Sequence, residues 1–174
     1  MITEPNQPEN DEYLDLVDEN DQIIDRKLRS QVHNERIKNV RVVNAFLVNS
    51  KGELWIPRRV SSKRSFPLHL DMSVGGYVMS GETYEEAIKR EIKEEVNLDF
   101  DNTEHRFLGY LSAKDGISCF MKVYEIKMDE TPDYNKNDFC EYFWIRPEEL
   151  IKRIENGEKA KDDLPKLVRR FYLK

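Results

Sequence analysis

Glu91, Glu94 and Glu95 are the residues whose types and spacing point most directly to chemistry. They follow the run Gly75-Gly76-Tyr77-Val78-Met79-Ser80-Gly81-Glu82, a glycine-rich loop feeding a glutamate-rich segment. Thr83 with Glu86 three residues on is a capping-box signal. Asn97 stands where a left-handed helix end is wanted, so the spacing predicts a helix over 84–96. With successive residues about 100° apart, Tyr84, Ile88, Ile92 and Val96 form an apolar stripe and Lys89, Arg90, Lys93 and Glu86 face away from it. Glu95 falls almost on the stripe, Glu91 flanks Tyr84 and Glu94 lies beside Ala87. A solvated helix face accounts for Glu85 and Glu86. It does not account for Glu95, because an ionised carboxylate is buried only when paired or coordinated. Three neighbouring carboxylates also repel one another. A divalent cation resolves both costs, and an all-oxygen, carboxylate-rich donor set suits Mg²⁺, with Mn²⁺ as the alternative.

The elements that must position this segment are those of a small α/β chain. Its 174 residues are enough for one domain with its own core, 39% are hydrophobic and 36% charged, and the net charge is −6. That acidity argues against generic nucleic-acid binding, which needs a basic face. No apolar run approaches the ~20 residues of a membrane span, and residues 1–10 lack a secretory pattern. Cys119 and Cys140 form neither a metal-ligand spacing nor a disulfide framework and read as small, buried or half-buried residues, so a cytoplasmic protein is expected.

Residues 1–11 read as a disordered tail, with the folded domain over 12–174. Residues 13–17 and 23–24 flank Asp18-Glu19-Asn20-Asp21 as a hairpin. Residues 30–39 show no periodicity and read as a loop, with His33 a surface histidine. Strands are expected over 40–49, 53–59, 107–112, 117–128 and 139–145, with Pro57 marking an edge or a strand end, and residues 73–79 lead into the glycine-rich loop. Pro147 opens a helix that Gly157 ends. A last helix carries Leu164, Leu167, Val168, Phe171 and Tyr172 on one stripe, which reads as core packing.

The spacing Gly76-x5-Glu82-x7-Arg90-Glu91-Ile92-x-Glu94-Glu95-x-Asn97-Leu98 resembles the Nudix box, G-x5-E-x7-R-E-U-x-E-E-x-G-U, where U is a bulky apolar residue. Asn97, in place of the last glycine, is the one departure, and asparagine also tolerates the left-handed conformation. The flanking segments resemble the family branch near isopentenyl diphosphate isomerase, over about residues 12–172. The resemblance implies an α/β/α sandwich around a mixed sheet in a single domain, and hydrolysis of a diphosphate linked to another moiety, usually a nucleoside. By position it implies Glu91, Glu94 and Glu95 as metal ligands, Glu91 also as a candidate base, the Gly76 carbonyl as a backbone ligand, and Glu82–Arg90 as an internal ion pair.

Beyond the box, Asp138 and Glu141 stand where many such enzymes carry an extra acidic residue. Glu141 is the first candidate for a further ligand or base, against an exposed strand-edge role. Arg58 and Arg59 are adjacent on a strand and face opposite ways, so only one can reach a substrate phosphate. Lys63 and Arg64 lie in a loop able to approach the substrate. Phe66, Tyr110 and Phe120 are the aromatic candidates for base stacking. The expected substrate is a small nucleoside diphosphate or a derivative of one, and relatives that split CDP-like substrates are the analogy. Neither nucleic acid nor a membrane is expected as partner, and the chain is expected to be a monomer or a homodimer. An isomerase would carry a cysteine in the segment occupied here by Leu70-Asp71-Met72-Ser73-Val74, and a histidine where Val40 stands. A Nudix-fold module that only binds would usually have lost box glutamates, and all are present.

Overall fold

The computed structural model describes residues 11–174. Strands β1 (Tyr13–Val17) and β2 (Ile23–Leu28) form the expected hairpin as a separate two-stranded sheet. Helix α1 (Arg29–Asn34) follows. The main sheet comprises β3 (Arg41–Val48), β4 (Leu54–Arg59), β5 (Val74–Tyr77), β6 (Glu104–Leu111), β7 (Phe120–Lys127) and β8 (Phe139–Ile145). Helix α2 (Tyr84–Val96) lies between β5 and β6, and α3 (Pro147–Glu155) and α4 (Leu164–Tyr172) close the chain.

The strand order is β6-β7-β3-β4-β8, with β5 pairing β3. The β3–β7 pair is parallel and the others are antiparallel, so the sheet is mixed. Alternation along β3 builds the layers. Val43, Ala45 and Leu47 face α2 through Ala87, Ile88, Ile92 and Val96. Phe46 faces the other way, onto Leu150 of α3 and Leu164, Leu167 and Val168 of α4. The result is the expected α/β/α sandwich. The stripe of the last helix is core packing: its Leu164, Leu167 and Val168 are fully buried, while Phe171 and Tyr172 pack partly buried against the same cluster.

Pro57 falls where β4 has left β3, since the two pair only at Val48 and Leu54. Its missing N–H therefore breaks no ladder between them. Two expectations need correcting. Residues 30–39 are not all loop: α1 forms over Arg29–Asn34, with the Gln31 side chain accepting from Leu28 N at 3.1 Å. A single buried residue, Val32, holds it to the hairpin cluster, so it carries no apolar period. Of the expected tail, residues 1–10 lie outside the described residues, while Asp11 is tied to the fold, accepting from Ser30 N at 3.1 Å.

Candidate active site

Helix α2 starts and stops on the signals its sequence carries. Thr83 Oγ1 accepts from Glu86 N at 3.2 Å and Glu86 Oε2 accepts from Thr83 N at 2.8 Å. Asn97 takes the left-handed conformation at φ 52°. Before the helix, Glu82 and Arg90 fasten the loop to it. Arg90 Nε donates to Glu82 Oε1 at 2.7 Å and Nη2 donates to Glu82 Oε2 at 2.9 Å and to the Tyr77 carbonyl at 3.0 Å. Glu82 Oε2 also accepts from Met79 N at 2.9 Å.

The Glu95 carboxyl turns inward as its helical projection predicts. Taken as whole residues, Glu91 is the more buried, at 9% exposure. Strand β5 runs across it: a Cβ on Gly76 would lie 2.1 Å from the Glu91 carboxyl, so only glycine leaves that carboxyl its space. Glu95 is half-buried, and its Oε2 accepts from Gly75 N at 2.9 Å. Glu94 is largely solvent-exposed, with Arg90 Nη1 at 3.5 Å from its Oε2. The same Nη1 donates to Glu91 Oε1 at 2.6 Å.

Burial pushes the Glu91 carboxyl above the ordinary carboxylate range, although Arg90 pulls the other way. Burial also raises Glu95, and the neighbouring Glu91 and Asp71 charges add to it. Two carboxylates that resist ionisation side by side, beside a backbone with no Cβ, are short of positive charge. Hard oxygen donors and a glycine that lets backbone approach them fit a small divalent cation. Among the described residues, no three acidic, imidazole or thiol side chains stand together in ligand geometry, because Glu94 points to solvent.

Next to these residues opens a cavity of about 740 Å³, with Gly75, Gly76 and Tyr77 in its lining. Arg59 also lines it, donating to Asp71 Oδ2 at 2.8 Å and to the Ser65 carbonyl at 3.1 Å. Arg58 points to the opposite face, against the Phe143 ring, where it pairs with Glu158 at 2.8 Å and with Glu141. The candidates Arg58 and Glu141 thus satisfy each other away from the cavity. Asp138 is held by Lys63, which does line the cavity. Of the aromatic candidates only Phe66 lines it, while Tyr110 packs edge-on against Tyr84 at 6.3 Å. Cys119 is half-buried in the lining with its thiol pushed up by burial, and Cys140 is exposed rather than buried.

Sequence reasoning missed the wall built by α1. Arg29 and His33 line the cavity from that helix, Arg36 and Lys38 from the segment after it, and Lys161 from the far side. The i, i+4 spacing of Arg29 and His33 was the available signal.

A family model described as the NUDIX domain matches residues 38–169. The chain belongs to the Nudix family. An uncharacterized Nudix hydrolase of Nostoc sp. is 56% identical over 92% of this chain and 96% of its own length. The crystal structure of a Deinococcus radiodurans protein matches with a TM-score of 0.88 at 51% identity, covering 92% of this chain and 99% of that one. An isopentenyl-diphosphate Delta-isomerase of Kocuria rhizophila is 27% identical over 86% of each chain. The α/β/α sandwich is thus the Nudix fold, and the chain is a Nudix hydrolase, of a family acting on phosphoanhydride-containing substrates. No described helix is long and apolar enough to cross a membrane.

Proposed function

We propose that this Nudix hydrolase cleaves the phosphoanhydride of a nucleoside diphosphate or a nucleoside-diphosphate derivative, a CDP-like molecule among the candidates, with Mg²⁺ as cofactor and Mn²⁺ able to replace it. The supporting observation is the contact of Gly76 with the buried Glu91 carboxyl, beside a second raised carboxyl at Glu95. Glu91, Glu94, Glu95 and the Gly76 carbonyl would hold the ion, which when bound would supply charge neutralisation on the diphosphate and a more acidic water. Glu91, next to the ion, would take the proton from the attacking water. Arg90 and Glu82 keep the loop on the helix and so fix the distance between the Gly76 carbonyl and the carboxylates. Arg59 supplies a fork for a phosphate within the cavity.

The isomerase reading has less support. Leu70-Asp71-Met72-Ser73-Val74 carries no thiol, and Ser73 is fully buried with its hydroxyl spent on Trp55 O at 2.5 Å and Leu47 N at 2.9 Å. A panel of nucleoside di- and triphosphates, nucleotide sugars, ADP-ribose, dinucleoside polyphosphates and isopentenyl diphosphate, with and without Mg²⁺, tests the proposal. Release of a nucleoside monophosphate that stops on chelation is the expected outcome. Metal-independent turnover, or isomerisation with no phosphate or nucleotide released, overturns it.

A further inference from the structure

The wall made by α1 and the loop after β4 carries charge that the proposed chemistry leaves unused. The Arg29 guanidinium carbon lies 5.4 Å from the centre of the Tyr77 ring, and His33, one turn along α1, meets the same ring edge-on at 5.6 Å. Arg64 enters from the loop and donates to Asn34 Oδ1. Ser65 Oγ stands 3.5 Å from His33 Nδ1. Tyr77 directly follows Gly76, the residue in contact with Glu91. Two guanidiniums and an imidazole therefore share one patch beside the glutamates.

Their protein partners leave that charge largely unanswered. The carboxylate paired with Arg29 is Glu12, at 3.4 Å between side chains that are 50% and 40% exposed. Arg64 forms no ion pair among the described residues, its hydrogen bond going to an amide oxygen. Three charged groups act on His33. Burial, Arg29 and Arg64 lower its pKa, and Asp11 alone opposes them. Asp11 is itself engaged with the backbone and hydroxyl of Ser30. The imidazole is thus held below its ordinary pKa, and among the described residues its Nε2 has no hydrogen-bond partner, Ser65 standing at Nδ1.

We infer that Arg29, His33 and Arg64 bind the terminal phosphate of the substrate, so that this site selects a diphosphate whose outer phosphate is unsubstituted. The inference rests on the hydrolase reading of the same site. An unsubstituted terminal phosphate presents three free oxygens and a charge of about −1.5 to −2 at pH 7. A phosphate esterified to a sugar presents two oxygens and about half that charge. Two arginine forks and an imidazole N–H match the first and leave donors idle on the second. The reaction is then addition of water across the anhydride: one P–O bond forms, the bridging P–O bond breaks, and nucleoside monophosphate, inorganic phosphate and a proton leave.

The test compares a nucleoside diphosphate with its hexose-substituted counterpart, using the Mg²⁺-loaded full chain as wild type, Arg64→Ala and Arg64→Lys. It also follows the His33 ring by NMR pH titration with and without inorganic phosphate. Arg64→Ala should raise KM for the diphosphate by about tenfold or more, the size of one charged hydrogen bond, with kcat little changed. The KM of the sugar nucleotide, or its Ki if it is not turned over, should stay as in wild type, and Arg64→Lys should recover part of the loss. Inorganic phosphate should raise the His33 pKa in wild type and less in Arg64→Ala. Equal losses on both substrates overturn the inference. So does a His33 that ignores phosphate, even in a chain that hydrolyses diphosphates well. If wild type hydrolyses neither substrate while phosphate still shifts His33, the anion site stands and the hydrolase reading falls.

Discussion

Glu91 and Glu95 are carboxyls held where ionisation is costly, by burial first and by each other second. A carboxyl whose folded pKa is raised keeps its proton longer in the folded than in the unfolded chain. Its contribution therefore favours the metal-free fold at acid pH, and stability falls as pH rises from the ordinary carboxylate range, about 4.3 for glutamate, through the raised value. Divalent cation should offset this at neutral and alkaline pH. Glu95→Gln keeps an oxygen able to accept from Gly75 N and removes the charge. We expect it to abolish turnover and to raise the metal-free melting temperature at pH 8 by about 2–4 °C, as for a gain of about 1 kcal/mol in a chain of this size. Calorimetry with and without Mg²⁺, alongside activity, measures both. Full activity in this variant would remove Glu95 from the metal site. These residues were legible in the sequence because a helix fixes their spacing. Their relative burial was not, because it depends on which residue β5 crosses.

The loop before α2 is held by one side chain more than by any other. Arg90 bridges Glu82, the Tyr77 carbonyl and Glu91, and is 20% exposed. Glu82 is held below the usual carboxylate range, chiefly by its hydrogen bond to Arg90. Removing one partner of such a pair strands the other, so Arg90→Ala should cost about 3 kcal/mol in urea denaturation. Arg90→Lys should not recover it, because a single ammonium cannot reproduce the fork. A loss below about 1 kcal/mol, the scale of an exposed pair, would mean that the loop is held by its backbone alone. The β1–β2 hairpin is latched to this region as well. Asp15 accepts from Ser80 Oγ at 2.6 Å, and Asp21 accepts from Arg41 Nε at 2.6 Å and from the Tyr84 hydroxyl at 2.9 Å. Those long-range pairs seat the hairpin, and α1, which directly follows it, lines the cavity. The capping residues Thr83, Glu86 and Asn97 announced α2 locally, whereas α1, six residues with one apolar anchor, offered only the Arg29–His33 spacing.

The whole molecule is acidic, at net charge −6, yet Arg29, Arg36, Lys38 and Arg64 gather at one cavity. A basic mouth on an acidic body concentrates field where an anionic substrate enters. The kcat/KM for a nucleoside diphosphate should therefore fall by roughly tenfold between low salt and half-molar NaCl, with kcat nearly constant, as screening shortens the range of these charges. A flat salt profile in stopped-flow or steady-state kinetics would show that they do not steer. Composition pointed away from such a surface, because a chain-wide sum hides where charges collect. The sequence by itself determined the glutamate helix, its ends and the alternating strands, since each depends on neighbours within a few residues, while the Glu82–Arg90 pair was legible only through the resemblance to the Nudix box. Only the tertiary structure decided that Arg59 rather than Arg58 faces the cavity, that Glu141 is spent on Arg58, and that α1 walls the site. Those outcomes depend on strand order and on contacts between residues far apart in the chain, which no local pattern encodes.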